Sequence, residues 1–442
     1  MTGRDPRAPL APDMLSCYRI ALYLALPLIA LRLLLRALRD RRYFDRLPQR
    51  FGFGGIRPAP GGIWIHAVSV GEVNAAAPLI RHLLAQHPRR AITVTTMTPT
   101  GADRVAQMFA DRVAHCYLPY DYPGATRRFL RALRPCLALV METEIWPNLI
   151  HRCHRIGVPM IYVNARLSRR SHRGYRRFRG LIAPTLAQVG GFTVHARRDA
   201  RRLLRLGASA SSLTVTGSIK FDIAAPSAAR ARAVRRDWGE ARAVWLAGST
   251  HEGEEAQVLD AFARLRREFA SLLLVIAPRH PQRFAAVAKL CARRGHVVAL
   301  RTEMNERALD DDTEVYLADT MGELPTLIAA SDVAFIGGSL APRGGHNVLE
   351  ASAAGTPVVF GPHMFNFAEI ADLLLRRAAA LQVMDANELA EVVGKLLRDD
   401  ALRAQYAARG KALVERNRGA LEKVCAVVES ELAAIARADS LR

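Results

Sequence analysis

Three carboxylates and one lysine stand where apolar runs give way to turns. Ile63 to Val68 reads as a strand ending in Ser69-Val70-Gly71-Glu72, with a helical run from Val73 to Leu84 behind it. A carboxylate at such a strand-to-helix turn can act as general base if its pKa suits the operating pH and it reaches the acceptor hydroxyl. The plainer reading is an acid in the first turn of a helix, balancing the macrodipole. Leu137 to Met141 ends in Glu142-Thr143-Glu144-Ile145-Trp146-Pro147-Asn148. Two carboxylates at one strand end are costly to bury unpaired, so at least one is expected to face a cation. Lysine is rare, at Lys220, Lys289, Lys395, Lys411 and Lys423 only. Lys220 follows the strand Leu213 to Val215 in Gly217-Ser218-Ile219-Lys220-Phe221-Asp222, where its ammonium could stabilise a leaving group; the alternative is a solvated lysine.

Further along, Phe335-Ile336-Gly337-Gly338-Ser339 leads into Gly344-Gly345-His346-Asn347-Val348-Leu349-Glu350 and a helical run to Ala354. A glycine-rich loop entering a helix presents backbone N–H groups that can cradle phosphate; otherwise it is a tight βα turn. Pro278-Arg279-His280-Pro281, Met321-Gly322-Glu323-Leu324 and Gly248-Ser249-Thr250-His251-Glu252 stand at strand ends or helix starts on the same side. Other matches fail. His251-Glu252-Gly253-Glu254-Glu255 lacks the second histidine of a zinc protease, no Walker A ending occurs, and Gly52, Gly54 and Gly55 follow no strand. Asp310-Asp311-Asp312 precedes a strand and reads as a solvated loop, so no metal site is expected.

The elements that must position these groups alternate as short apolar runs and helical stretches, the pattern of βα units and a parallel sheet. Expected strands are Ile63 to Val68, Ala91 to Thr95, Leu137 to Met141, Met160 to Val163, Gly191 to Val194 and Leu213 to Val215. After a composition change at Ile223 to Arg242, rich in Ala and Arg, come Ala243 to Ala247, Leu272 to Ile276, Val297 to Leu300, Val315 to Leu317, Val333 to Ile336 and Pro357 to Phe360. The expected class is α/β, with two Rossmann-like halves facing a cleft. The expected division is an anchor and basic flank over 1–50, a first domain over 51–225 and a second over 226–442. The amphipathic segment Ala401 to Arg437 could pack on either half. Ligands of open parallel sheets bind beyond the carboxyl ends of the strands, the side on which Glu72, Glu142, Glu144, Lys220 and the glycine-rich loop are expected.

Composition narrows the partners. The 442 residues are 50% hydrophobic, which excludes an extended disordered chain. Six scattered cysteines without a Cys-x-x-Cys pair argue against a disulfide scaffold or structural zinc, and for a reducing compartment. The net charge of +22 is lopsided: residues 1–222 hold 35 Lys+Arg against 12 Asp+Glu, and Arg152 to Arg205 holds 14 arginines and one acid, Asp199. That half should face an anionic surface or ligand. An apolar stretch from Ile20 to Leu31, bounded by Arg19 and Arg32, is short for a spanning helix. It fits a signal-anchor with both arginines snorkelling, or a helix in the interface; the alternative is a buried core helix. Arg36, Arg39, Arg41, Arg42 and Arg46 behind it predict a body on the cytoplasmic side.

Ser69 to Glu72, Met141 to Asn148, Asn164-Ala165-Arg166-Leu167-Ser168, Gly217 to Asp222, and Gly344 to Glu350 together resemble, in order, the 3-deoxy-D-manno-octulosonic acid (Kdo) transferases of lipopolysaccharide synthesis. The likeness extends to Pro362-His363 and Phe365-Asn366-Phe367. The resemblance implies a GT-B inverting glycosyltransferase that moves Kdo from CMP-Kdo to a lipid A precursor at the cytoplasmic face of the inner membrane, with no cofactor. It assigns Glu72 as proton acceptor and Glu142 and Lys220 to stabilising the transition state. It assigns CMP contacts to Pro278, Arg279, Met321, Gly322, Glu323, Asn347, Val348, Leu349 and Glu350. Val348 stands where relatives can carry Pro, a change expected to be harmless. One alternative is a membrane-associated GT-B enzyme using a UDP-sugar. Another is a membrane-tethered nucleic-acid-binding protein, but that needs aromatics interleaved with the arginines, and Arg166 to Arg179 has only Tyr175 and Phe178, so no nucleic acid is expected.

Overall fold

The computed structural model describes residues 14–223, 225–304 and 308–440. In the first half β1 (Ile63–His66), β2 (Ile92–Thr96), β3 (Ala114–Tyr117), β4 (Leu137–Met141), β5 (Met160–Ala165), β6 (Gly191–Val194) and β7 (Leu213–Val215) form one parallel sheet. Its order is β3-β2-β1-β4-β5-β6-β7. The second half repeats the plan with β8 (Val244–Thr250), β9 (Leu273–Pro278), β10 (Val298–Leu300), β11 (Val315–Leu317), β12 (Val333–Ile336), β13 (Val358–Phe360) and β14 (Ala380–Gln382), in the order β10-β11-β9-β8-β12-β13-β14. In each sheet the chain first builds strands on one side of its first strand and then crosses to the other side, between β1 and β4 and between β8 and β12. These two switch points are where such sheets open a crevice beyond their carboxyl ends.

The strands read as continuous apolar runs because both faces are covered. Ile63 and Ile65 pack into one cluster of the first half and Trp64, between them, into the opposite one. Two strands escaped the sequence reading. β3 is Ala-His-Cys-Tyr, with no apolar run, and β14 has three residues; both lie at sheet edges, where one neighbour suffices.

The chain forms two compact units. One runs to Lys220 and resumes at Gly419; the other is Phe221–Arg418. The terminal segment is accordingly divided. Helix Asp400–Asn417 buries Val414 in the core of the second unit. Helix Ala420–Ser440 buries Val424, Val428 and Leu432 in the first, each contributing roughly 1.5–3 kcal/mol over exposure. Glu429 of that helix takes His82 at 3.1 Å and His87 at 2.8 Å.

At the N-terminus, helices Met14–Leu24 and Leu26–Arg39 meet at Ala25 with a bend of 50°. Among the described residues no single helix is long and apolar enough to cross a membrane, although this pair together has the length and composition to do so. The first helix is tied to its unit. Tyr18 donates to Asp121 at 3.0 Å, the Arg19 guanidinium donates to Asn148 at 2.7 Å, and Tyr122 donates to the Leu22 carbonyl at 3.1 Å. Arg19 is therefore engaged by the protein body. The core-helix alternative fails, because Ile20, Leu24, Leu28, Leu31, Leu35 and Leu38 are all more than half exposed.

Candidate active site

In the first unit the reactive groups gather at the β1/β4 switch point. Helix Val70–Gln86 starts directly after β1, so Glu72 falls in its first turn, half-buried, with Oε2 accepting from the Val68 N–H at 2.8 Å. Burial pushes its pKa up to about 8, and Glu142 and Glu144 push the same way; the Val68 N–H and Lys220 pull it down. A carboxylate that is hard to ionise is a stronger base once ionised, and here it titrates close to neutrality.

Glu142 follows β4 with φ +57°, a left-handed conformation that costs a non-glycine residue of order 1 kcal/mol. The turn aims its carboxylate at Lys220, whose Nζ lies 3.2 Å from Oε1. Lys220 sits in the short turn Ile219–Phe221 after β7. Glu144 is raised by burial and by Glu142, and its carbonyl accepts from the Tyr162 hydroxyl at 2.6 Å. The expectation that at least one of the two carboxylates faces a cation is met by Glu142. The structure thus brings Glu72, Glu142, Glu144 and Lys220 into one electrostatic group.

In the second unit the loops after β8 and β12 are joined by a residue the sequence reading passed over. Glu254, fully buried at the start of helix Glu254–Leu265, accepts from the N–H groups of Gly338, Ser339, Leu340 and Ala341 at 2.7–3.2 Å, and from His251 N–H at 2.9 Å. This corrects the phosphate-cradle expectation for Gly337 to Ser339: the Gly338 and Ser339 amides already donate to the protein's own carboxylate, and the Gly337 N–H donates to the Gly248 carbonyl at 2.8 Å. Glycine is nonetheless required farther on, since Gly345 has φ +71° and a Cβ there would collide with the Met364 sulfur.

Pro278 closes β9 and Arg279 follows, half-buried, its N–H donating to the Thr250 carbonyl at 3.0 Å. Burial, with Arg279 among the nearby cations, holds His346 and His251 down, and burial raises Glu350 against the opposing pull of Asn347 and Arg279. Asn347 donates to Glu350 at 3.0 Å and accepts from the Leu349 N–H at 3.2 Å. Val348 and Leu349 have wholly buried side chains inside the apolar core, so of these two only backbone can meet a ligand. Met321 is exposed, Gly322 has φ +91°, and Glu323 is paired with Arg301 at 3.1 Å. Burial pushes Glu323 up, but the Thr320 hydroxyl and Arg301 outweigh it and hold it below the usual range.

The histidines form a second unforeseen feature. His251 and His346 lie in one plane with their Nε2 atoms 2.8 Å apart, and His280 packs edge-on to His251. Burial, with Arg279 and the other two histidines, drives His346 down to about 3, and burial lowers His251 as well; in the bond between them one Nε2 donates and the other accepts. Each residue stood in a quoted motif; their meeting depends on β8 and β12 being neighbours.

Comparison with known proteins agrees with the fold. The chain is 39% identical over 412 residues to 3-deoxy-D-manno-octulosonic acid transferase of Haemophilus influenzae, covering 92% of this chain and 96% of the relative. It belongs to the Kdo transferase family. The Bordetella pertussis member is 38% identical, covering 94% of this chain and 99% of that protein. The Kdo transferase family profile, described as 3-Deoxy-D-manno-octulosonic-acid transferase (kdotransferase), matches residues 45–223, and that of the glycosyl transferases group 1 matches residues 251–413. Among solved structures, the C-terminal CMP-Kdo binding domain of WaaA from Acinetobacter baumannii is 34% identical over 42% of this chain and 96% of its own, with a TM-score of 0.40. A putative UDP-N-acetylglucosamine 2-epimerase from Listeria monocytogenes shares the fold at 14% identity and a TM-score of 0.51, over 86% of this chain and 98% of its own. The protein is thus a glycosyltransferase of the α/β GT-B fold, with two parallel Rossmann-like sheets, and its family places it in lipopolysaccharide synthesis.

Proposed function

We propose that the enzyme transfers Kdo from CMP-Kdo to a phosphorylated lipid A precursor with inversion, and that Glu72 is the proton acceptor. The acceptor hydroxyl gives its proton to the Glu72 carboxylate as its oxygen bonds to the anomeric carbon of Kdo. The bond from that carbon to the CMP phosphate breaks, and the electron pair leaves on the phosphate. The observation that carries this is Glu72 itself, titrating near 8 beside the Glu142–Lys220 pair. Lys220 and Glu142 then stabilise charge as the bonds change, a contribution that preorganised groups can make because they need not reorient. Arg279, with Pro278, Met321 to Glu323, and Asn347 to Glu350, receives the nucleotide; the guanidinium suits phosphate geometry.

The acceptor's setting is argued from the first unit. The exposed side chains Ile20, Leu24, Leu28, Leu31, Leu35 and Leu38 recur every three or four residues and so form one apolar stripe along both N-terminal helices. The first of these helices packs on helix Arg179–Leu186, next to the exposed arginines of helix Arg169–Arg177. Apolar stripe and basic patch together suit a pair lying in the interface of an anionic leaflet, the cytoplasmic face of the inner membrane, where each basic residue adds about 1 kcal/mol of attraction.

Incubation with CMP-Kdo and a tetraacylated lipid A precursor, followed by mass analysis, is expected to show Kdo added to the lipid and CMP released. Release of UDP from a UDP-sugar instead, with CMP-Kdo left intact, would overturn the donor assignment.

A further inference from the structure

The segment Asn164-Ala165-Arg166 at the end of β5 takes part in no step above. β5 pairs with β6 through Tyr162 and Phe192 and next through Ala165 and Val194, so β5 carries one extra residue over that span. Bulges of this kind re-aim side chains beside active sites. The extra length puts Asn164 at φ +59°, a conformation asparagine tolerates better than most non-glycine residues. Its own N–H is held by the Thr193 hydroxyl at 3.1 Å.

The fully buried carboxamide of Asn164 accepts at Oδ1 from the Ile219 N–H at 3.1 Å and from His195 Nε2 at 2.6 Å. Ile219 N–H can only donate, which fixes the oxygen on that side. His195, driven down to about 3 by burial, then Lys220, Arg166 and Arg198, is neutral and donates from Nε2. Asn164 Nδ2 is buried with no hydrogen-bond partner among the described residues, so the acceptor end is what the position uses. Two residues on, Arg166 grips Thr143 from both sides: its N–H donates to Oγ1 at 3.1 Å, and its carbonyl accepts from the same hydroxyl at 2.6 Å. Thr143 follows Glu142, and Ile219 precedes Lys220. The two ends of the Glu142–Lys220 pair, 78 residues apart, are therefore each one residue from a hydrogen bond to one three-residue segment.

We infer that Asn164-Ala165-Arg166 is a bracket that positions the Glu142–Lys220 pair beside Glu72, with the Asn164 carboxamide setting Lys220 and the Arg166 backbone setting Glu142. Some such device is needed. A half-exposed ion pair contributes less than the rotamer freedom a fixed lysine loses, so the pair does not hold itself. The catalytic importance of the bracket rests on the roles proposed above for Glu72, Glu142 and Lys220; its geometry does not.

The test uses full-length enzyme labelled at lysine 13Cε. The chain has five lysines, so the Lys220 signal is assigned by its loss in Lys220→Met. Asn164→Gly keeps the left-handed backbone and removes the carboxamide. Thr143→Val keeps the shape and removes the hydroxyl, and Thr143→Ser restores it. Asn164→Gly and Thr143→Val are each expected to displace the Lys220 signal and its titration, and to lower kcat roughly 10–100-fold, the scale of a misplacement near 1 Å. The acid limb of the rate profile should also move up, because Lys220 opposes Glu142 and Glu144 in setting Glu72. Thr143→Ser should return all three to wild type, and the double variant should lose little more than the worse single one. A wild-type Lys220 signal in Asn164→Gly or Thr143→Val overturns the bracket, as does a displaced signal with unchanged kcat and limb. Displaced signals in an enzyme whose wild type transfers no Kdo would uphold the geometry and sink the functional reading instead.

Discussion

Glu72 is positioned by backbone that precedes it and tuned by side chains far from it in sequence. Its burial and its two acidic neighbours oppose ionisation, while the Val68 N–H and Lys220 favour it, and burial wins. A general base must be ionised to accept a proton, so kcat/KM is expected to rise with pH through about 8 and level off above it. Glu72→Gln should remove transfer while CMP-Kdo binding, measured by calorimetry, persists; retained turnover would remove Glu72 from its role. Stability carries the opposite sign. A carboxylate with a raised folded pKa binds its proton more tightly when folded, so its contribution is present at low pH and lost as pH rises from about 4.5 towards 8. Glu72→Gln, neutral throughout, should therefore be no less stable than wild type at pH 9, as thermal unfolding across pH would read.

The loop after β12 depends on one buried carboxylate from the loop after β8. Glu254 satisfies five backbone N–H groups, of which those of Gly338, Ser339 and Leu340 would otherwise be buried without an acceptor. Leaving such donors unpaired costs about 1–3 kcal/mol each where water cannot enter. Glu254→Ala is expected to lower the thermal transition by roughly 5–10 °C and to weaken CMP binding, because Gly345 to Glu350 follow directly on the freed segment. Glu254→Gln, which keeps one carbonyl oxygen, should fall between. Equal stability of all three proteins by calorimetry would show that water replaces the carboxylate without cost.

For the whole molecule the question is what the lopsided charge and the apolar stripe do together. Neither alone secures a membrane: basic residues are screened by salt, and a stripe of six aliphatic side chains is a modest area. Replacing Leu24, Leu28 and Leu35 by Ser is expected to release the protein from anionic vesicles in sedimentation. Wild type should be released only in part by 1 M NaCl, since salt weakens the arginine contribution and strengthens apolar burial. Activity on a short-chain acceptor in solution should survive the triple change, because none of the three side chains belongs to the reacting group. Full release of wild type by salt would make the attachment purely electrostatic.

Much of this molecule is written locally. The alternation of apolar runs with helical stretches, the turns that follow each run, and Glu72, Glu142 and Lys220 at such turns are properties of windows shorter than 20 residues, and propensity and periodicity act over that range. Two edge strands escaped because β3 lacks an apolar run and β14 is only three residues long. What tertiary structure decided are contacts between windows: Lys220 on Glu142, Asn164 on Ile219, Glu254 on the glycine loop, His251 on His346. Each joins turns whose proximity follows from strand order and from a bulge or a left-handed residue at a strand end. Strand order is the outcome of packing many helices on both faces of a sheet at once, so no single stretch of chain contains it.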